Sequence, residues 1–144
     1  MMKKSKYVIC ILIFLKANLL FGQMNNIKSI SVKYVDFSIL TDTHVKCQDF
    51  EASFDYKIIE IKDSLIIKSF MDFTTNLKKD TICNYLPDSR AKIIIYYRCK
   101  REGVICISNF GICYDNTPII FNEIFVNYIK KLIKLEDKNF DFKL

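Results

Sequence analysis

The chain has 144 residues, with 22 Lys plus Arg against 16 Asp plus Glu, six Cys, one His, three Gly and no Trp. That length suits one ordinary domain, and a 51% apolar content is enough for a core and too high for intrinsic disorder. With only three glycines, a glycine-rich phosphate-binding loop is nearly excluded.

Lys3, Lys4 and Lys6 precede an unbroken apolar run from Val8 to Leu15, which continues past Lys16 and Asn18 to Leu19, Leu20, Phe21 and Gly22. A basic stretch followed by a short apolar one has the pattern of a secretory signal peptide. Val8 to Phe21 is 14 residues, short of the roughly 20 needed to cross a bilayer. Residues 1–22 are therefore expected to be a signal peptide cut after Gly22, touching the membrane only during export. Cys10 lies inside the apolar run, not after a small residue at its end, so it is not read as a lipid-attachment cysteine. The Leu20-Phe21-Gly22-Gln23 ending resembles the leaders of exported Bacteroidota proteins, over about the first 23 residues. That resemblance implies a bacterial protein that is secreted or periplasmic.

The leader holds four lysines and no acid, so the remaining chain carries 18 basic and 16 acidic groups, a net +2. Its lysines are scattered, and Arg98, Lys100 and Arg101 adjoin a turn. No clustered basic face of the kind nucleic acids require is apparent, so no nucleic-acid partner is expected.

Ile30, Val32 and Tyr34 alternate with Ser29, Ser31 and Lys33, as in a half-buried strand. The phase flips at Val35, which predicts a bulge or strand break near Tyr34. Phe50 and Phe54 are four apart, as on a short helical face, and Tyr56 to Ile61 reads as an edge strand or an irregular connection. Asp63 or Ser64 can cap a helix from about Leu65 to Lys78, whose inner stripe is Ile66, Phe70, Phe73 and Leu77 with Ile67 and Met71. Lys78 and Lys79 would then face its carbonyl end. Arg90 to Cys99 is the strongest strand, Lys100 to Gly103 a turn with Gly103 taking a positive φ, and Val104 to Tyr114 a second strand. Asp115-Asn116 is a two-residue hairpin loop before Thr117 to Phe121. Asn122 caps a last helix with Ile124, Phe125, Tyr128, Ile129, Leu132 and Ile133 facing inward.

The resulting expectation is one α+β domain over residues 23–135, with residues 136–144 a loose tail. It is two-layered, with an antiparallel sheet of about four strands and two main helices packed on one face.

The five cysteines after the leader are Cys47, Cys83, Cys99, Cys106 and Cys113. An odd number leaves at least one unpaired in a monomer. Export permits disulfides without requiring them, and buried thiols serve equally well as small apolar residues. A Glu102-Gly103 loop would face Cys99 with Cys106, whereas a loop over Lys100 to Gly103 would set Tyr97 opposite Cys106. The longer loop, with its glycine last, places Cys99 and Cys106 on one inner face without requiring a bond.

No C-x-x-C, G-x-S-x-G or H-E-x-x-H occurs, so no redox, hydrolase or metalloprotease motif is present and no cofactor is implied. His44-x-x-Cys47 offers two metal ligands where zinc takes about four, so no metal is expected. Arg90 can engage a carboxylate or phosphate through its guanidinium, although beside Asp88 it also suits a local ion pair. Tyr96, Tyr97 and Tyr114 can furnish a contact surface on the sheet, or simply part of its core. The sequence thus favours a small exported binding, inhibitory or envelope-associated protein without catalysis, its partner another envelope or extracellular protein. The alternative is a small secreted hydrolase that uses a cysteine with His44, or a carboxylate pair drawn from Asp49, Glu51 and Asp55.

Overall fold

A computed structural model describes residues 26–82 and 86–137. The expected signal peptide, Cys83 and most of the expected tail lie outside the described residues.

Six strands form one antiparallel sheet in the order β2-β1-β3-β4-β5-β6. They are β1 (Ile27–Tyr34), β2 (Lys57–Ile61), β3 (Ala91–Tyr97), β4 (Glu102–Ile107), β5 (Ile112–Tyr114) and β6 (Thr117–Ile119). The helices are a short α1 (Phe50–Ser53), entered through a 3-10 turn at Cys47–Asp49, then α2 (Ser64–Thr74) and α3 (Glu123–Glu136). The α+β class therefore holds, with six strands in place of about four. One extra strand is β2, which pairs with β1 at an edge of the sheet. The other comes from the expected single strand over Val104 to Tyr114, which folds back on itself. Ser108 N–H donates to Gly111 O, the Ser108 hydroxyl accepts from Phe110 N–H, and Cys106 then pairs with Cys113. Gly111 is needed there for closeness: an added Cβ would lie 2.7 Å from Pro87 Cβ.

Strand alternation sets the layers. Ile30, Val32 and Tyr34 of β1, Ile93 and Ile95 of β3, and Ile105 and Ile107 of β4 point into the main core. There they meet Ile67 and Phe70 of α2 and Phe125, Ile129 and Ile133 of α3. Asp63 caps α2 by accepting from Leu65 and Ile66 N–H, and Asn122 caps α3 by accepting from Phe125 N–H. Ile124, expected inside, is exposed, and Val126 takes a buried place on α3. Helix α2 stops at Thr74, short of Lys78, because Thr75, Asn76 and Leu77 turn back on Met71, Phe73 and Thr74 through their N–H groups. Lys78 to Asp80 instead run beside β6, with Asp80 N–H donating to Pro118 O and Ile120 N–H to Lys78 O.

β1 does end at Tyr34, as the phase flip implies, and Val35 and Phe37 stay buried beyond the break. The ladder irregularity itself falls at the strand's other end, between Ile27 and Ser29. Glu136 belongs to α3, and Asp137 accepts from Tyr34 Oη at 2.8 Å and Lys57 Nζ at 2.8 Å, so these two residues are not a loose tail.

The second face of the sheet is covered by residues 45–56. Glu51 bridges Lys33 of β1 and Lys92 of β3 at 3.0 and 2.8 Å. Phe50 is fully buried, with Phe54 and Tyr56 at ring distances of 5.3 and 5.9 Å. A disulfide between Cys47 and Cys106, with Cα atoms 5.7 Å apart, fastens this segment to β4.

Candidate binding cleft

The hairpin register decides which side chains meet at the end of the sheet. β3 and β4 pair Ile95 with Gly103 and Tyr96 with Glu102, and Tyr97 N–H donates to Arg101 O. The turn is therefore Arg98-Cys99-Lys100, intermediate in length between the two expected loops and starting before both, and Lys100, not Gly103, has the positive φ of 63°. Cys99 consequently sits exposed in the turn, while Cys106 is buried opposite Lys92. They do not share an inner face. At the next hairpin Asp115 and Asn116 carry the expected positive φ values, 46° and 60°, of a two-residue loop.

Gly103 is used for its missing side chain. Tyr97 and Tyr114 lie over it, and a Cβ there would stand 3.1 Å from Tyr114 Oη and 3.5 Å from Tyr97 Cε2. The two phenol oxygens are 3.5 Å apart. They face a cleft of about 370 Å³ between α2 and the sheet, whose apolar wall includes Met71, Leu77, Ile95 and Ile105 and whose rim carries Asn26, Cys99 and Arg101. The Arg101 guanidinium stands 5.7 Å from the centre of the Tyr97 ring. Burial first, and then the bond to Tyr97, push the Tyr114 phenol well above its usual range, so it stays a neutral donor. One phenol can donate to the other and still leave the second O–H to point at a ligand.

Of the four residues singled out for binding, the structure brings Tyr97 and Tyr114 together and separates the other two. Tyr96, adjacent to Tyr97 in a strand, points to the opposite face. Arg90 is buried at the start of β3 with its donors engaged. Its Nε donates to Ile39 O, one Nη to Asp88 and Ser89 O, and the other to Asp88 and Thr41 Oγ1. Burial pushes the Asp88 carboxyl up, but the Arg90 and Val45 hydrogen bonds more than offset this and hold it below its ordinary range. Arg90 thus ties the loop after β1 to the entrance of β3. Arg101, a wet turn residue by sequence, is the arginine at the cleft. Only its scarcity, one of three arginines, hints at this.

The residues considered for catalysis lie as follows. His44 is exposed beside Asp88, whose carboxylate accepts from Val45 N–H, at the entrance of β3, and Cys99 lies just past that strand's exit. Seven residues at about 3.3 Å each put roughly 20 Å between them. Cys47 and Cys106 are bonded to each other, and Cys113 is buried with its thiol pushed up by that burial. Burial also raises the Glu51 carboxyl, but hydrogen bonds from Lys92 and Lys33 outweigh it, leaving an ionised group poorly suited to donate a proton. Asp49 and Asp55 are exposed. Chain spacing suggested only His44 and Cys47 as neighbouring metal-type ligands, whereas the fold gathers the sulfurs of Cys47, Cys106 and Cys113 within 4.8 Å of one another.

Fold and cleft together define a small, disulfide-stapled α+β protein with a tyrosine-lined pocket at one end of its six-stranded sheet. No protein family, curated protein or solved structure matches the chain.

Proposed function

We propose that this protein is an exported, non-catalytic binding module of the bacterial periplasm or cell exterior, and that the Tyr97–Tyr114 cleft is where it holds its partner. The observation that carries the reading is the pairing of two phenol oxygens 3.5 Å apart with the Arg101 guanidinium at the mouth of an apolar-walled pocket. Apolar walls with a few convergent donors are the usual composition of a ligand site. The donors select an acceptor, ideally a carboxylate that Arg101 can grip, and the walls select an apolar body attached to it. An exposed acidic and apolar segment of another envelope or extracellular protein has this chemistry. The Cys47–Cys106 bridge accords with an oxidising compartment, and the signal-peptide pattern points the same way.

Octanoate is a suitable probe, being a carboxylate on an apolar chain. Titrated into the labelled protein, it should give saturable amide shifts confined to Tyr97 to Ile105, Tyr114 and the end of α2. Arg101→Gln and Tyr114→Phe should each weaken binding several-fold, the cost of losing one charge-assisted or neutral hydrogen bond. Shifts that are absent, or scattered over the whole surface and unchanged in both variants, would remove the cleft from consideration.

A further inference from the structure

The second face of the sheet contains a combination that the binding reading does not use: a formed disulfide with a free thiol beside it. Cys47 and Cys106 are bonded, Cys113 is free and buried, and the three sulfurs lie within 4.8 Å of one another. Around them pack Leu86 and Val104, so the group is shielded from external thiols.

Register makes Cys113 more than a neighbour. It lies directly opposite Cys106 across the β4–β5 pair. Directly opposed residues of antiparallel strands have Cα atoms about 4.5 to 5.5 Å apart, inside the roughly 4.4 to 6.8 Å range that disulfides span. A bridge between Cys106 and Cys113 therefore needs side-chain rotation and no movement of the sheet. Cys47 is different, because it belongs to the 3-10 turn of the covering segment and is held to β4 by its sulfur.

We propose that Cys113 is an internal exchange thiol, which moves the bridge from Cys47–Cys106 to Cys106–Cys113 and frees the covering segment from the sheet. The step is balanced within the chain. The Cys113 thiol gives its proton to solvent, its thiolate attacks Cys106 Sγ, and the new S–S bond forms as the Cys47–Cys106 bond breaks. Cys47 leaves as a thiolate and takes up a proton, so no oxidant or reductant is consumed. What the exchange changes is the cover. With Cys47 released, residues 45–56 are held by the Glu51 bridges to Lys33 and Lys92 and by the Val45 bonds to Asp88 and Ser89. These non-covalent ties can open and close, exposing or covering Phe50 and the face beneath it.

Proton loss from Cys113 limits the step. The groups facing that thiol are the Cys106 N–H, which eases ionisation, and Asp115 beyond the end of β5, which opposes it, with burial the largest influence and also opposing. The exchange is therefore slow near neutrality and speeds up with thiolate fraction, about tenfold per pH unit below the thiol's pKa.

The test uses the full chain carrying Cys10→Ser, Cys83→Ser and Cys99→Ser, so that the three clustered cysteines are its only ones. The Cys47–Cys106 form, purified at pH 4, is incubated without reductant at pH 7 and pH 8. It is then quenched in acid, unfolded, labelled with a maleimide and mapped as non-reduced peptides. The expected result is a Cys106–Cys113 linked peptide with label on Cys47, accumulating about tenfold faster at the higher pH. Adding Cys113→Ser should leave Cys47 unlabelled throughout. Label on Cys113 alone at both pH values, or Cys47 label appearing equally with Cys113→Ser, would overturn the proposal. A Cys47–Cys113 link with label on Cys106 would overturn it too, since the segment would stay fastened.

Discussion

Reducing the Cys47–Cys106 bridge tests how much of this fold depends on fastening residues 45–56 to the sheet. The cysteines are 59 residues apart in sequence, so the bridge closes a long loop in the unfolded chain. In the chain-entropy treatment the loss is about 2.1 plus 1.5R ln n, roughly 14 cal/mol/K for this separation, or about 4 kcal/mol at 25 °C. Reduction leaves the Glu51 and Val45 ties of this segment available in the folded chain, so most of the effect is assigned to the unfolded ensemble. With a urea m-value of about 1.5 kcal/mol/M, the midpoint should fall by about 2 to 3 M. The assay is urea unfolding followed by far-ultraviolet circular dichroism, with and without a phosphine reductant, loss of the bridge being verified by mass. Cys47→Ala with Cys106→Ala should behave like the reduced protein, with a small further loss from the missing sulfurs. A midpoint that moves by less than the equivalent of about 1 kcal/mol, with reduction complete, would refute the reasoning.

Three further outcomes are expected. Arg90→Met should cost about 3 kcal/mol, because it leaves Asp88 and the carbonyls of Ile39 and Ser89 without their buried partner, and the melting temperature should fall by about 10 °C. Gly111→Ala should cost about 1 to 3 kcal/mol by driving a methyl group to within 2.7 Å of Pro87, read from the same unfolding curves, whereas Phe110→Ala in the same turn, an exposed site, should be nearly neutral. For pH, Glu51 and Asp88 both have folded pKa values held below their ordinary 4.5 and 3.8, so in the acid range the unfolded chain binds more protons than the folded one. Their stabilisation is full above those ordinary values and drains away as pH falls through the lower folded values. Urea midpoints should decline below about pH 4.5, and Glu51→Gln should flatten that decline.

The cleft illustrates how a sequence can name the right residues and leave their meeting to the fold. Tyr97 and Tyr114 stand out by composition, but they are 17 positions apart, and the turn after β3 together with the fold-back between β4 and β5 decides that they share a face. A turn one residue longer would have sent every side chain of β4 to the other side of the sheet. Lys100 supplies the positive φ that was assigned to Gly103, and this frees Gly103 to lie under the two rings. Arg90 shows the converse. Its guanidinium chemistry was legible, yet the loop that uses up its donors comes from residues 39–41, remote in sequence.

By itself the sequence determined the local matters: alternation in β1, the β-branched and aromatic run of β3, a cap for α2 at Asp63 or Ser64 and one for α3 at Asn122, the stripe of α2, the Asp115-Asn116 turn, and the mixture that makes an α+β fold. These depend on interactions within a few residues, and so their periods and caps can be read along the chain. Tertiary structure alone decided the fold-back at Ser108 to Gly111, the pairing of Cys47 with Cys106, the opposition of Cys113, and the cleft over Gly103. Each of those depends on which strand lies beside which and in what register, a balance of burial over the whole sheet that no short window of residues contains.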